Sequence, residues 1–212
     1  MTRTQKALEI YQRLKTYYPN ATTALYHENA FELLVATMLS AQTTDKLVNS
    51  ITPALFEKFP TAQDFARASV EEIDMMIRKV NFHNNKSKNI HETARIITDK
   101  YAGNVPDCME VLITLPGVAR KTANCVLGNW YHLNEGIIVD THVMRLSQRL
   151  GLTDSNEPIK IESDLMKLLP KETWIDFANM LVTYGREYCP ARKHLCTDCP
   201  LGDLCPDLQQ PL

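Results

Sequence analysis

Apolar positions recur three and four residues apart along most of the chain, the period of helices with one buried face. Ala7, Ile10, Tyr11, Leu14 and Tyr18 form one such stripe, and Pro19 ends it. Asn29-Ala30-Phe31-Glu32 has the cap-x-x-Glu spacing that satisfies two orphan amides at a helix start. The apolar run from Phe31 to Leu39 after it predicts a buried helix. Ser69-Val70-Glu71-Glu72 repeats the capping spacing before another short helix. A longer stripe runs from about Lys86 to Tyr101 and meets Gly103, a C-terminal glycine stop. Further helices are predicted over 108–114, 120–130, 141–150 (with Gly151 as its stop), 159–169 and 172–188. Only Gly136-Ile137-Ile138-Val139 reads as a strand, and it is too short and isolated to found a sheet. The fold class is therefore all-α, without repeats, low-complexity tracts or long linkers.

At 212 residues the chain can bury a substantial core in one large or two small domains. Its 44% hydrophobic and 23% charged residues are ordinary for a globular protein. No apolar run approaches the roughly 18 residues of a membrane span, and no secretory leader is read at the start, so a cytoplasmic protein is expected. A net charge of −2 does not advertise a nucleic-acid binder, so any such face must come from local clusters. Three are candidates: Arg78, Lys79, Lys86 and Lys88; Arg120 and Lys121; and Arg186, Arg192, Lys193 and His194. Taken alone, each reads first as a solvated helix end.

The sharpest chemistry lies in Leu115-Pro116-Gly117-Val118-Ala119-Arg120-Lys121-Thr122-Ala123-Asn124, followed by Val139-Asp140-Thr141-His142-Val143. Pro116 pre-sets a turn and Gly117 can take positive φ, so two short helices over about 108–130 form a helix-hairpin-helix. Amides at the start of the second helix suit a phosphate and read no base sequence. Lys121 falls in that helix's first turn, where the macrodipole disfavours a cation. A nucleophilic lysine gains a larger neutral fraction from such a place, while a phosphate-binding lysine remains the alternative. Asp140 closes an apolar run and reads first as the N-cap of the next helix. The same carboxylate, held partly desolvated, could stabilise positive charge developing on a sugar.

Cys189, Cys196, Cys199 and Cys205 follow a C-x6-C-x2-C-x5-C spacing. Four cysteines in 17 residues of a cytosolic-looking chain are a metal or cluster site before they are disulfides. Zinc sites usually bring two close pairs, and only Cys196 with Cys199 is one, so an iron–sulfur cluster suits the spacing better. Cys108 and Cys125 lie in helical patterns and read as core residues.

Together these motifs resemble the endonuclease III family of base-excision-repair DNA glycosylases over essentially the whole chain. The resemblance implies Lys121 as nucleophile, Asp140 as its assisting carboxylate, and a [4Fe–4S] cluster on Cys189, Cys196, Cys199 and Cys205. It implies two helical domains flanking a DNA-binding cleft, with residues 22–134 carrying the hairpin and residues 1–21 plus 135–212 carrying the cluster. Leu39-Ser40-Ala41-Gln42-Thr43-Thr44-Asp45 also matches, which implicates Gln42 in filling the space left by an extruded nucleotide. Asp45 is then either a pocket carboxylate or a helix-start acid. Gly117, Ala119, Arg120, the Phe82–His83 loop, Arg192 and Lys193 are the implied DNA contacts.

Two departures stand out. Ala119 replaces the glycine that usually ends the Leu-Pro-Gly-Val-Gly hairpin. Val80-Asn81-Phe82-His83-Asn84 replaces Gly-Leu-Tyr-Asn or similar, where Asn81 can still visit the left-handed region and Phe82 makes a bulkier wedge than leucine. Both bear on substrate range.

The implied function is a bifunctional glycosylase and abasic-site lyase. It removes oxidised pyrimidines from duplex DNA and acts as a monomer, near the nucleoid if the source is bacterial. The alternatives are a monofunctional mismatch glycosylase, which would lack lysine at 121 and in its adenine-specific form need a further domain, or a non-catalytic DNA-binding module. A zinc protein is a third, separable by colour.

Overall fold

In the computed structural model of the protein, residues 1–192, 196 and 198–206 are described. Among them are eleven α-helices and no strand. The first six are α1 (Arg3–Tyr17), α2 (Ala30–Ser40), α3 (Asp45–Lys58), α4 (Ala62–Arg67), α5 (Val70–Ile77) and α6 (His83–Tyr101). The series continues with α7 (Met109–Leu112), α8 (Arg120–Asn129), α9 (Thr141–Arg149), α10 (Pro158–Leu168) and α11 (Trp174–Glu187). The strand-like run 136–139 is buried without regular structure and delivers the chain to Asp140. The chain divides into two compact units, residues 24–133, and residues 1–23 with 134–212.

The unit 24–133 is built round α2, which is buried at every position from Ala30 to Leu39 and packs on α3, α6 and α8. Burying each of Leu33, Leu34 and Leu39 contributes about 1.5–3 kcal/mol. Asn29 caps α2 through the Glu32 amide at 2.9 Å, but Glu32 answers the amide of Glu28 at 2.7 Å, one residue before the cap. Ser69 and Glu72 form the complete reciprocal box at the start of α5. Two helices have no counterpart in the apolar pattern: α3, which carries Pro53 inside it, and α4, six residues long and too short to show a period. α6 starts about a turn before the stripe suggests and ends in a left-handed turn shared by Ala102 (φ 52) and Gly103 (φ 84).

In the unit formed by 1–23 and 134–212, α11 supplies the core through Phe177, Ala178, Met180 and Leu181. α1 packs on α10 and α11 with Ala7, Ile10 and Leu14 fully buried. α9 lies so close to α11 that a Cβ on Gly185 would stand 2.9 Å from Leu146 Cδ1 and from His142 Nδ1. Glycine is what permits that approach.

Candidate functional site

Leu115 and Val118 are buried and pin the hairpin turn inward, with the Val118 amide donating to Leu115 at 3.1 Å. Gly117 has φ 75, and a Cβ there would sit 3.0 Å from both Asn89 Cβ and Met38 Cε. Thr93 Oγ1 donates to the Pro116 carbonyl at 2.9 Å, so α6 fastens the turn from a second point. Ala119 is the N-cap of α8 at φ −86, ψ 167, a conformation open to any residue, so the missing glycine leaves no backbone strain. α1 to α5 and α9 each start on a side-chain cap, whereas α8, like α6, α7, α10 and α11, has none. Its first-turn amides are thus not closed by their own cap residue. Arg120 and Lys121 are exposed in that turn.

Gln42 follows α2 in a left-handed conformation, φ 55, with its side chain exposed. Phe82 caps α6 at φ 58 and is 59% exposed, a large apolar surface left in solvent. The positive φ therefore falls on Phe82, while Asn81 uses its side chain instead: Nδ2 donates to the Gln42 carbonyl. His83 Nδ1 lies 2.7 Å from Asp74 Oδ1, which also accepts from Ser87 at 3.3 Å. Asp45 is the first residue of α3, directly after the Thr44 cap.

Lys86, read from sequence as part of a basic surface cluster, is 8% exposed. Its ammonium donates to the Leu39 and Ala41 carbonyls, both at 2.7 Å, and to Thr43 Oγ1 at 3.3 Å. Burial pushes its amine below the ordinary lysine range. The signal was in the sequence, because Lys86 continues the buried stripe of Ile90, Ala94 and Ile97 at helical spacing.

Asp140 caps α9, and the amides of His142 and Val143 both donate to its Oδ1 at 2.8 Å. Four residues apart on the same helix, Arg145 donates to the Cys189 carbonyl at 2.6 Å and Arg149 to the Cys189 sulfur at 2.9 Å. All six cysteines are free, with Cys189 and Cys205 buried and Cys196 and Cys199 partly exposed. Tyr184 Oη lies 3.0 Å from Cys199 Sγ, and burial, then that contact, raises the phenol well above its ordinary range. Arg13 of α1 grips the same loop by pairing both Asp203 oxygens, at 2.5 and 2.9 Å, and by donating to the Pro200 carbonyl. Among the described residues no three acidic, histidine or cysteine side chains gather as ligands of a single ion. Cys108 is not core: it caps α7, half-exposed, with its thiol 3.0 Å from Glu110.

Residues 35–171 match the model of the HhH-GPD superfamily of base excision DNA repair proteins. Endonuclease III of Synechocystis sp. is 50% identical over 205 residues, covering 97% of this chain and 94% of that relative. Endonuclease III of Bacillus subtilis is 40% identical, covering 91% of this chain and 88% of its own. The solved structure of a trapped covalent endonuclease III–DNA intermediate superimposes with a TM-score of 0.92, at 39% identity and over 99% and 98% of the two chains. The chain belongs to the endonuclease III family.

In this family member the unit 24–133 holds Gln42, Asp45, Phe82, His83, Gly117, Ala119, Arg120 and Lys121. Of these, the structure links the Gln42 and Phe82 loops directly and ties the hairpin to them through α6. Asp140, Arg192 and the four cysteines belong to the other unit. Lys193 lies outside the described residues. Sequence reasoning missed Lys86, Asn89, Thr93, Arg145, Arg149 and Tyr184, whose contacts join residues far apart in the chain.

Proposed function

We propose that this base excision repair glycosylase and lyase is bifunctional and acts on oxidised pyrimidines in duplex DNA, with Lys121 as nucleophile and Asp140 as assisting carboxylate. The observation that carries the reading is Lys121, exposed in the first turn of an uncapped hairpin helix in a chain of this family. Extruding the damaged nucleotide costs a few kcal/mol, least for a poorly stacked lesion. The neutral amine attacks C1′, the bond from C1′ to the base breaks, and the base leaves with the electron pair and takes up a proton. Asp140 offsets the positive charge that develops on the sugar. Its cap bonds fall on Oδ1, which leaves Oδ2 for this task. The C1′–O4′ bond then opens, O4′ takes up the proton that the amine gives up, and the resulting imine to Lys121 acidifies the C2′ proton. Loss of that proton expels the 3′ phosphate, and water releases the lysine. The α8 amides and Gly117 turn, with Arg120, hold the backbone, and Gln42 and Phe82 fill the gap. Arg192 and Lys193 meet phosphates further along.

A [4Fe–4S] cluster fits the donor set. Four free thiols of suitable softness lie in one short segment, and hydroxyl and guanidinium donors stand beside two of the sulfurs. Bound there, it supplies a covalent tie across the loop, and Arg149 and Tyr184 steady Cys189 and Cys199. Free thiols also suit a reducing compartment, and we place the protein on DNA in the cytoplasm, as a single chain.

The test is a duplex with one thymine glycol, incubated with the protein and borohydride. A covalent adduct is expected, absent in Lys121→Ala. Base release without any adduct would replace this reading by a monofunctional one. No release and no cut at an abasic site would leave a binding module.

A further inference from the structure

Gln42 occupies the left-handed region, where a residue with a Cβ stays only if its surroundings hold it there. The backbone of Gln42 is set by the peptide planes on its two sides. Lys86 Nζ grips the carbonyl of the first, Ala41, at 2.7 Å, and Asn81 Nδ2 donates to the carbonyl of the second, Gln42 itself. Lys86 also takes the Leu39 carbonyl, so its charge closes the C-terminal end of α2 where a helix favours a cation. Among the described residues no carboxylate pairs with this ammonium, and burial alone opposes its charge. A buried unpaired charge is a poor way to gain stability, since an apolar side chain of the same length avoids the desolvation. Its three donors suit a different task, fixing a loop at several carbonyls at once.

We infer that Lys86 and Asn81 are positioning residues that clamp the two peptide planes flanking Gln42 and so present Gln42 and Phe82 as one rigid unit. The inference rests on the gap-filling role proposed for Gln42. Phe82 stands between Asn81 and α6, so neither loop moves without the other.

The test is a double-mutant cycle on single-turnover excision of thymine glycol, with Gln42→Ala, Lys86→Met, Asn81→Ala and the two doubles that contain Gln42→Ala. Lys86→Met is expected to slow excision by about tenfold or more, the scale of a displaced reactive group. Asn81→Ala is expected to slow it less. Neither should slow Gln42→Ala further. Affinity of Lys86→Met for undamaged duplex should stay within about twofold, which a general loss of structure would not allow. Wild-type rates in Lys86→Met, or losses that multiply with Gln42→Ala, overturn the clamp. If Lys86→Met does not fold, the exposed Asn81 carries the cycle instead: a loss absorbed by Gln42→Ala supports the clamp, and a wild-type rate or a multiplying loss overturns it. A silent Gln42→Ala, with Lys121→Ala still unable to form an adduct, refutes the gap-filling role itself and the clamp with it.

Discussion

Asp140 caps α9 with the same carboxylate that is proposed to assist the reaction, and the two tasks can be separated. As N-cap of α9 it accepts two backbone amides on Oδ1, a task asparagine performs about as well. Asp140→Asn is expected to keep the melting temperature while excision falls by a large factor. Asp140→Ala should lose both, with about 0.5–2 kcal/mol of stability gone. Denaturant titration beside single-turnover rates checks the pair, and equal stability loss in both variants would show that the charge matters to the fold. At this scale the sequence spoke through residues that touch their own neighbours. The helix starts at Arg120 and Thr141 were legible because cap and turn lie within a few positions. Lys86 was misread as surface although its place on the α6 stripe marked it as buried; its carbonyl partners lie more than forty positions earlier, where no local pattern encodes them.

Among the elements, α6 stands out for the number of parts it fixes. Phe82 heads it, Lys86 holds the Gln42 loop, and Asn89 and Thr93 bear on the Gly117 turn, at spacings that keep them near one face of the helix. Its apolar stripe was visible in sequence, and its length was nearly so. The polar residues interleaved with that stripe were not interpretable without knowing what packs against them. α1 plays a comparable part for the cysteine loop through Arg13 and Asp203. The guanidinium holds the Asp203 carboxyl below its usual value, so the pairing is fully present above the ordinary carboxylate range near pH ~4 and is lost as pH falls through the lower folded value. With the proposed cluster bound, Arg13→Leu is expected to bleach the absorption near roughly 400 nm faster under a chelator at neutral pH. Identical bleaching at neutral pH would show that α1 does not guard the loop.

At the scale of the whole molecule, a chain of net charge −2 must hold DNA through a few placed groups and not through its general field. If it neutralises about three phosphates, affinity for undamaged duplex should fall about fortyfold over a fourfold rise in salt. Anisotropy titrations give the slope. A flat response would mean that phosphates are not what it grips, and a much steeper one would mean that more basic residues take part than the hairpin and Arg192. No helix among the described residues is long and apolar enough to cross a membrane. α9, finally, carries Asp140 at its head and, at its middle and its tail, the two arginines that hold Cys189. One residue added or removed between them would turn one end against the other by about 100°. Substitutions on its outer side can drift, but its nine-residue length cannot, and insertions among relatives should avoid the interval from 140 to 149 altogether.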